Sequence, residues 1–325
     1  SALNMFLEYT MAEKEKYSQY LGFDDREVDE LYARYLAVTS MPAIEREGLR
    51  VWYDGYHTLT GKRLYNPRSV VSALSDNQLG SYWTNAGPYD EIFYYIEKNV
   101  DAVRDDLARM AAGEGVKAKI QEYAATSMNL QTKDEILSAM VVYGFLSYED
   151  GKVRIPNKEL MDKFADVLLK EPSLGYVHRL ARESERMLEA TLGGDSNKVA
   201  EILEFAHNTE IPLLNYNNET DLTALVNLLY LSARDSYHVE REDKAGIGYV
   251  DFIFYPKVKN EPGIILELKV DSTPEEAIHQ IRERGYMLNF KRRIGGRPEY
   301  TGKVFGVGIA YDRKSKTHSC KIEVL

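Results

Sequence analysis

The sequence predicts a chain in two parts, an α-rich region over residues 1–194 and an α/β domain over residues 195–325 with the element order αβββαββ. Two observations lead to this division. Apolar residues recur at helical spacing through most of the first part, whereas short apolar or alternating runs typical of strands dominate after residue 236. Between the two parts, residues 193–197 read Gly-Gly-Asp-Ser-Asn, which is typical of a linker.

The composition is that of an ordinary soluble folded protein, with 44% hydrophobic and 28% charged residues among 325. The net charge of −10 argues against a wholly basic nucleic-acid coat, but residues 282–316 hold ten Lys or Arg against three Asp or Glu. That segment could follow a phosphate backbone or form a solvated helix and loop. A single cysteine, Cys320, excludes an internal disulfide and predicts an intracellular location, cytoplasm or nucleus. No apolar run is long enough to span a bilayer, so no membrane partner is expected.

Helical periodicity carries the prediction for most of the first part. Helices are expected through residues 1–48, throughout residues 89–127, and over residues 158–192. Within residues 1–48, either Asp24 or Asp25 can cap the helix whose apolar pattern begins at Val28. An acidic side chain accepts hydrogen bonds from the free N–H groups at the start of a helix.

Between residues 133 and 155, the sequence predicts a helix followed by a β-hairpin. A helix is predicted from Lys133 to about Tyr143, and two short strands follow on either side of Asp150-Gly151, which is a strong hairpin signal. A helix followed by a hairpin predicts a winged-helix-like unit near residues 133–165. Because this part of the chain is acidic, a packing role is favoured over DNA binding.

The α/β domain follows from a change of period after the linker. Pro274 opens its later helix, with Glu275 and Glu276 in the first turn, where acidic residues are favourable. The expected elements are a helix over 221–234, strands over 237–242, 249–255 and 264–270, a helix from 274 to about 289, and strands over 304–311 and 318–324.

Charged residues interrupt the third of these strands, which is otherwise apolar. Because strand side chains alternate between faces, Glu267 and Lys269 project from one face, and a hairpin with the preceding strand would bring Asp251 to the same place. The alternative is that Glu267 and Lys269 form an exposed ion pair on the strand surface, which would contribute little to stability. Charges are costly in an apolar central strand, which favours a functional role.

Two crowded carboxylates beside one ammonium group suit a Mg²⁺ site, with Mn²⁺ as an alternative, because hard cations prefer oxygen ligands. Such a site performs metal-assisted phosphodiester hydrolysis. The cation polarises the phosphoryl oxygen and lowers the pKa of a water molecule, and the lysine orients that water or stabilises the developing charge. Asp251 and Glu267 are the predicted metal ligands, and with Lys269 the predicted catalytic residues.

These residues carry a resemblance to a known superfamily. Residues from about 199 to 325 resemble the PD-(D/E)XK nucleases, whose restriction-endonuclease-like core is αβββαβ and whose signature is an acidic residue followed by (Asp/Glu)-x-Lys on the next strand. More narrowly, four segments resemble the nuclease-like half of AAA-ATPase-like proteins that carry this domain at their C-terminus. They are residues 246–252, 264–270, 277–281 with Tyr286, and 307–310. Tyr249 stands where that group usually has Arg.

The first part resembles the later ATPase-like region of the same proteins, through residues 52–56, 65–70 and 155–157. The phosphate-binding loop of an ATPase is missing. Residues 55–62 imitate the motif G-x4-GK[ST], but five residues separate the glycines and Arg63 stands where Ser or Thr should bind Mg²⁺. We therefore expect no ATPase activity from this chain.

The resemblance implies two further site residues. Glu219 matches the acidic helix residue of the family and is a third predicted metal ligand, although an acidic residue at a helix start also complements the helix dipole. Gln280 lies on the later helix, where related nucleases place residues against the active strands. It could support Lys269, contact a phosphate, or be a surface amide.

The functional hypothesis is metal-dependent cleavage of nucleic acid, with DNA favoured over RNA as the partner. The basic residues Lys291, Arg292 and Arg293 are the predicted nucleic-acid contacts. The alternative is a non-catalytic module that keeps the nuclease fold for binding nucleic acid or protein. The helical region is a candidate platform for a protein partner.

Overall fold

The computed structural model describes residues 16–83, 91–120, 130–208, 219–240, 250–258, 261–287, 290, 300 and 302–325. The chain divides into two compact units, Ser1–Val167 and Leu168–Leu325, which are described in turn. The domain boundary expected after residue 194 stays a prediction. Among the described residues, no helix combines the length and the apolar character needed to cross a membrane.

Helices dominate the first unit, as expected. Its elements are α1 (Asp25–Val38), α2 (Arg46–Tyr53), β1 (Tyr56–His57), β2 (Arg63–Leu64), α3 (Pro67–Asp76), α4 (Glu91–Ile96), α5 (Val100–Ala111), β3 (Val116–Lys117), α6 (Lys133–Val142), β4 (Ser147–Glu149), β5 (Lys152–Arg154) and α7 (Lys158–Lys170), the last of which crosses the division. Helix α1 begins in a capping box, because the Asp24 side chain accepts from Glu27 N–H and the Glu27 side chain accepts from Asp24 N–H.

The predicted hairpin is present. Strands β4 and β5 pair antiparallel on either side of Asp150 and Gly151, which both have positive φ, 49° and 77°. A tight hairpin turn of this kind needs two such residues, which Asp-Gly supplies. Strand β3 adds to the far side of β5 and completes a three-stranded sheet. The winged-helix assignment itself stays a prediction.

The prediction of one continuous helix over residues 89–127 is wrong. Helix α5 starts anew after Asn99, whose side chain accepts from Ala102 N–H, and it ends before Gly113, which has φ of 84°. Strand β3 follows. Local capping by an asparagine and a glycine therefore outweighs the helical spacing of the apolar residues.

The segment that imitates a phosphate-binding loop is a hairpin. Strand β1 pairs with β2, and the connection is closed by bonds from Thr58 N–H to Lys62 O and from Gly61 N–H to Thr58 O, both at 2.9 Å. A phosphate-binding loop runs from a strand into a helix. Here the glycine and lysine run into a strand.

The second unit is built on a five-stranded mixed sheet. Its elements are α8 (Tyr176–Leu192), α9 (Ser196–Asn208), α10 (Glu219–Leu229), α11 (Ala233–Ser236), β6 (Tyr237–Glu240), β7 (Phe252–Pro256), β8 (Gly263–Val270), α12 (Pro274–Glu283), β9 (Val304–Asp312) and β10 (Thr317–Val324). The strand order is β10-β9-β8-β7-β6, in which β8 and β9 are parallel and the other neighbours are antiparallel. Apart from the short helix α11, the predicted order αβββαββ is confirmed from α10 to β10.

Helices cover both faces of this sheet. Ile253 and Ile265 belong to a core cluster with Ile278 and Ile281 of α12, so α12 covers their face. Phe254 points to the other face, where its ring lies 5.1 Å from that of Tyr230, just after α10. The central strand β8 is therefore covered on both faces, which explains why it is apolar apart from Glu267 and Lys269.

Helix α12 ends earlier than expected. Its last residue is Glu283, and Gly285 follows with φ of 65°, a conformation that favours glycine at a helix end. Tyr286 then turns into the core, where it is 1% exposed. The glycine is therefore the signal that fixes the end of this helix.

Candidate active site

Two carboxylates meet on neighbouring strands at the centre of the sheet. In the antiparallel pair of β7 and β8, Phe252 lies opposite Leu266. Continuing this register by one residue brings Asp251, just before β7, opposite Glu267. Residues that lie opposite each other in an antiparallel pair project from the same face. Asp251 and Glu267 therefore share the face that α12 covers.

Asp251 is held by a backbone hydrogen bond from the next strand. The N–H of Leu268 donates to Asp251 Oδ2 at 2.7 Å. Because Leu268 lies between Glu267 and Lys269 in the strand, this hydrogen bond holds the Asp251 carboxylate beside both residues. Asp251 is partly exposed, whereas Glu267 is 3% exposed. Solvent therefore reaches the pair from the side of the aspartate.

Glu267 uses its two carboxylate oxygens differently. Lys269 Nζ donates to Glu267 Oε1 at 2.8 Å, and Gln280 Nε2 donates to the same oxygen. Glu267 Oε2 is buried and has no hydrogen-bond partner within the part of the chain that the structure describes. The structure thus brings together Asp251, Glu267, Lys269 and Gln280 and leaves one buried carboxylate oxygen available for another ligand.

A strand glycine lets α12 reach this site. Gly308 is the register partner of Glu267 on β9, and a Cβ placed there would lie 2.3 Å from the carbonyl oxygen of Pro274 and 3.0 Å from Ala277 Cβ. The helix therefore packs against bare backbone at this point. Its start is fixed by Thr273, whose hydroxyl accepts from the N–H of Glu276.

The site holds Glu267 in an unfavourable electrostatic environment. Burial, followed by the nearby Asp251 carboxylate, raises the pKa of Glu267 to about 7, and the hydrogen bond and charge of Lys269 oppose this rise without cancelling it. The positive charge of Arg284 also lowers the pKa. Near neutral pH, Glu267 therefore exchanges readily between its protonated form and the carboxylate.

The donor set fits a divalent cation. Two carboxylates from adjacent strands converge, one of them with a buried oxygen free of hydrogen bonds, and a cation would remove the repulsion between them. Mg²⁺ is commonly held by one or two carboxylates, with water and substrate phosphates completing its shell. No group of three or more His, Cys, Asp or Glu side chains that could hold a metal lies among the described residues.

Other residues predicted from the sequence lie partly or wholly outside this description. Helix α10 begins at Glu219, but the side chain of this residue is outside the described part. Lys291, Arg292 and Arg293 lie outside the described residues, and so does the stretch 246–249 of the strand motif.

Two residues escaped the sequence reasoning. The close approach at Gly308 could have been suspected, because a glycine inside a strand often marks such a contact. The charge of Arg284 acts on Glu267, and its position four residues after Gln280 was a signal, since residues four apart share a helix face.

A mixed sheet with two carboxylates and a lysine on its central strands is the arrangement of a nuclease-type domain. Residues 219–319 match the family model of the PD-(D/E)XK nuclease superfamily, so this part of the chain is a domain of that superfamily. Nucleases of the superfamily generally use divalent metals such as Mg²⁺. No curated protein and no solved structure matches the chain. The matched residues lie within the second unit, and the AAA-ATPase-like character of the first part stays a prediction.

Proposed function

We propose that this protein cleaves nucleic acid by metal-dependent phosphodiester hydrolysis. One observation carries the proposal: the buried carboxylate of Glu267 faces Asp251, keeps one oxygen without a hydrogen bond, and lies 2.8 Å from the Lys269 ammonium. A merely structural ion pair would satisfy both carboxylate oxygens, because an unsatisfied buried oxygen costs about 1–3 kcal/mol. The superfamily match over residues 219–319 supports the same conclusion.

Each side chain has a distinct role in this proposal. Asp251 and Glu267 hold Mg²⁺ or Mn²⁺, which when bound supplies charge stabilisation and activates water for attack on phosphorus. Lys269 Nζ stabilises the negative charge that develops on the phosphoryl oxygens. Gln280 is a positioning residue, because it donates to Glu267 Oε1 and leaves Oε2 as the oxygen that would bind the cation.

The remaining parts of the proposal rest on sequence and resemblance. Glu219 adds a third ligand from the start of α10, and Lys291, Arg292 and Arg293 contact the phosphate backbone of the substrate, which we propose to be DNA in preference to RNA. We also propose an intracellular site of action.

For the first part of the chain, we propose an ATPase-derived region with a winged-helix-like unit near residues 133–165. The hairpin of β4 and β5 that follows helix α6, which β3 extends to a three-stranded sheet, supports this proposal. The hairpin formed by residues 56–64 supports the expectation that this chain does not hydrolyse ATP. A protein partner would bind through this helical region.

A cleavage assay tests the proposed function. Supercoiled DNA, linear duplex, single-stranded DNA and RNA are incubated with the protein in Mg²⁺, Mn²⁺ or EDTA. We expect cleavage of at least one substrate with either metal and none in EDTA. Lys269→Ala should lower the rate at least about a hundredfold, because it removes about 3 kcal/mol of transition-state stabilisation.

The matched control is Lys321→Ala. Lys321 lies on β10 of the same sheet, pairs with Glu323 at 3.2 Å and with Glu275 at 3.7 Å, and makes no contact with the carboxylate pair. It should cleave like the unsubstituted protein. If no substrate is cleaved in either metal while nucleic acid still binds, the non-catalytic binding module replaces the enzyme as the proposed function.

A further inference from the structure

Arg284 stands at the end of α12, directly beyond Gln280. Its N–H donates to the carbonyl oxygen of Gln280 at 3.1 Å, which is the last helical bond of α12. Residues four apart on a helix lie on the same face, one turn from each other. Since the Gln280 side chain contacts Glu267, the Arg284 side chain leaves the helix next to the carboxylate pair, within range of the charge of Glu267.

Two other arginines of this unit are paired with carboxylates, whereas Arg284 has no such pair among the described residues. Arg282 forms an ion pair with Glu323, and Arg313 forms one with Asp271. Arg284 is exposed and interacts with the Tyr286 hydroxyl, but it forms no salt bridge with any residue that the structure describes. Its guanidinium can therefore bind an anion from solution without first breaking an ion pair.

The backbone around Arg284 is fixed on both sides. Before it, α12 is anchored by Ile278 and Ile281 in the core. After it, Gly285 reverses the chain with φ of 65°, and Tyr286 is buried in the same core cluster. The root of the Arg284 side chain is therefore held in place, and only the side chain itself has to be ordered when an anion binds.

A phosphodiester must approach two carboxylates of its own sign of charge. Lys269 is engaged with Glu267 Oε1, and it and the metal would serve the phosphate that reacts. A neighbouring phosphate of the same strand therefore needs a further cation toward the solvent. A guanidinium suits this task, because its planar donors bind two phosphate oxygens at once.

We propose that Arg284 binds a phosphate of the nucleic-acid backbone beside the Asp251–Glu267 pair and so positions the strand to be cut. This inference rests on the proposed function in taking nucleic acid as the substrate. It assigns Arg284 to substrate binding and leaves the chemical step to the carboxylates and Lys269.

Arg284→Ala, Arg284→Lys and the control Arg282→Ala test the proposal. Each is placed in the Lys269→Ala protein, which retains the carboxylates, and the affinity for a fluorescent DNA duplex and for a single strand is measured in Mg²⁺ across a range of KCl concentrations. We expect Arg284→Ala to weaken binding of the preferred DNA about three- to tenfold and to reduce the slope of log K against log salt by about one. Arg284→Lys should keep the slope, because it keeps the charge, and Arg282→Ala should change neither quantity.

Cleavage by the same arginine variants, in a protein that retains Lys269, separates this inference from the proposed function. There Arg284→Ala should raise KM more than it lowers kcat. If DNA binds with the expected loss at Arg284 but nothing is cleaved, the nuclease proposal fails and the phosphate contact stands. If cleavage occurs but Arg284→Ala binds with unchanged affinity and salt slope, or Arg282→Ala loses as much, the contact is refuted and the nuclease proposal stands. If neither DNA probe binds, the contact is refuted as well.

Discussion

Replacing Glu267 with Gln is expected to stabilise the metal-free protein above neutral pH. The folded protein binds a proton at Glu267 more tightly than the unfolded chain does, because burial and the Asp251 carboxylate disfavour the charged form. The stabilisation that protonation gives is therefore complete below about pH 4.5. It is lost as the pH rises through the folded pKa of about 7. Glutamine carries no charge and avoids this loss.

The size of the effect follows from the two pKa values. The pKa of Glu267 rises from the ordinary 4.5 to about 7, and each unit of pKa corresponds to about 1.4 kcal/mol. The unsubstituted protein should therefore lose about 3 kcal/mol of unfolding free energy between about pH 4 and about pH 8 through this residue alone. Glu267→Gln should remove that loss, so its advantage grows from near zero at the acidic end to about 3 kcal/mol.

The assay must report on the second unit. Both tryptophans, Trp52 and Trp83, lie in the first unit, so their fluorescence serves only as an internal reference. Urea titrations at about pH 5 and about pH 8 in EDTA, sampled by a short deuterium pulse and read from peptides of β8 and β9, measure the relevant unfolding. Glu261→Gln is the matched control, because Glu261 is exposed just before β8.

Adding Mg²⁺ should stabilise the unsubstituted protein, the opposite of the loss expected in EDTA. At about ten times its dissociation constant, a ligand that binds only the folded state adds about 1.4 kcal/mol. This gain should appear in the unsubstituted protein at about pH 8 and be absent from Glu267→Gln. Equal stability of the two proteins at about pH 8 in EDTA, or the same advantage of glutamine at both pH values, would refute the electrostatic argument.

Three further expectations concern other parts of the chain. Gly308→Ala should cost about 1–3 kcal/mol in urea unfolding, because its Cβ meets the backbone of α12. Gly306→Ala should cost less, because a Cβ at this position meets only the side chain of Leu325. Equal losses of unfolding free energy in the two variants would contradict the close contact between α12 and Gly308. Neutralising residues 291–293 together should lower the salt slope of DNA binding by up to about three without abolishing cleavage at saturating substrate, and an unchanged slope would exclude these contacts. Calorimetry should detect no tight binding of ATP, and saturable micromolar binding would show that the first part has been misjudged.

The periodicity of the sequence was enough to predict the strands of the α/β domain and their order along the chain. Alternation along β8 requires Glu267 and Lys269 to share a face, and their side chains lie 2.8 Å apart. The Asp150-Gly151 hairpin follows from turn chemistry alone. These features depend on neighbours in the chain, which the sequence displays directly.

Contacts between distant segments were beyond such reasoning. The bond from Leu268 N–H to Asp251 and the approach of α12 over Gly308 depend on how the helix lies on the sheet, which no local pattern records. The error over residues 89–127 has another cause, because helical spacing was given more weight than the break signals at Asn99 and Gly113. The end of α12 at Gly285 was missed in the same way.

The energetic cost of Glu267 bears on the choice between an enzyme and a binding module. Without a cation, the carboxylate costs about 3 kcal/mol above neutral pH and leaves one buried oxygen without a hydrogen bond. A module that only bound nucleic acid would bind better without this negative charge next to Arg284, and a glutamine would keep both bonds to Glu267 Oε1. The protein keeps a glutamate here and gives it two hydrogen-bond donors. We expect this where a positively charged ligand binds to the carboxylate during function. A divalent cation meets that requirement, because it binds to the charge that destabilises the folded chain in its absence.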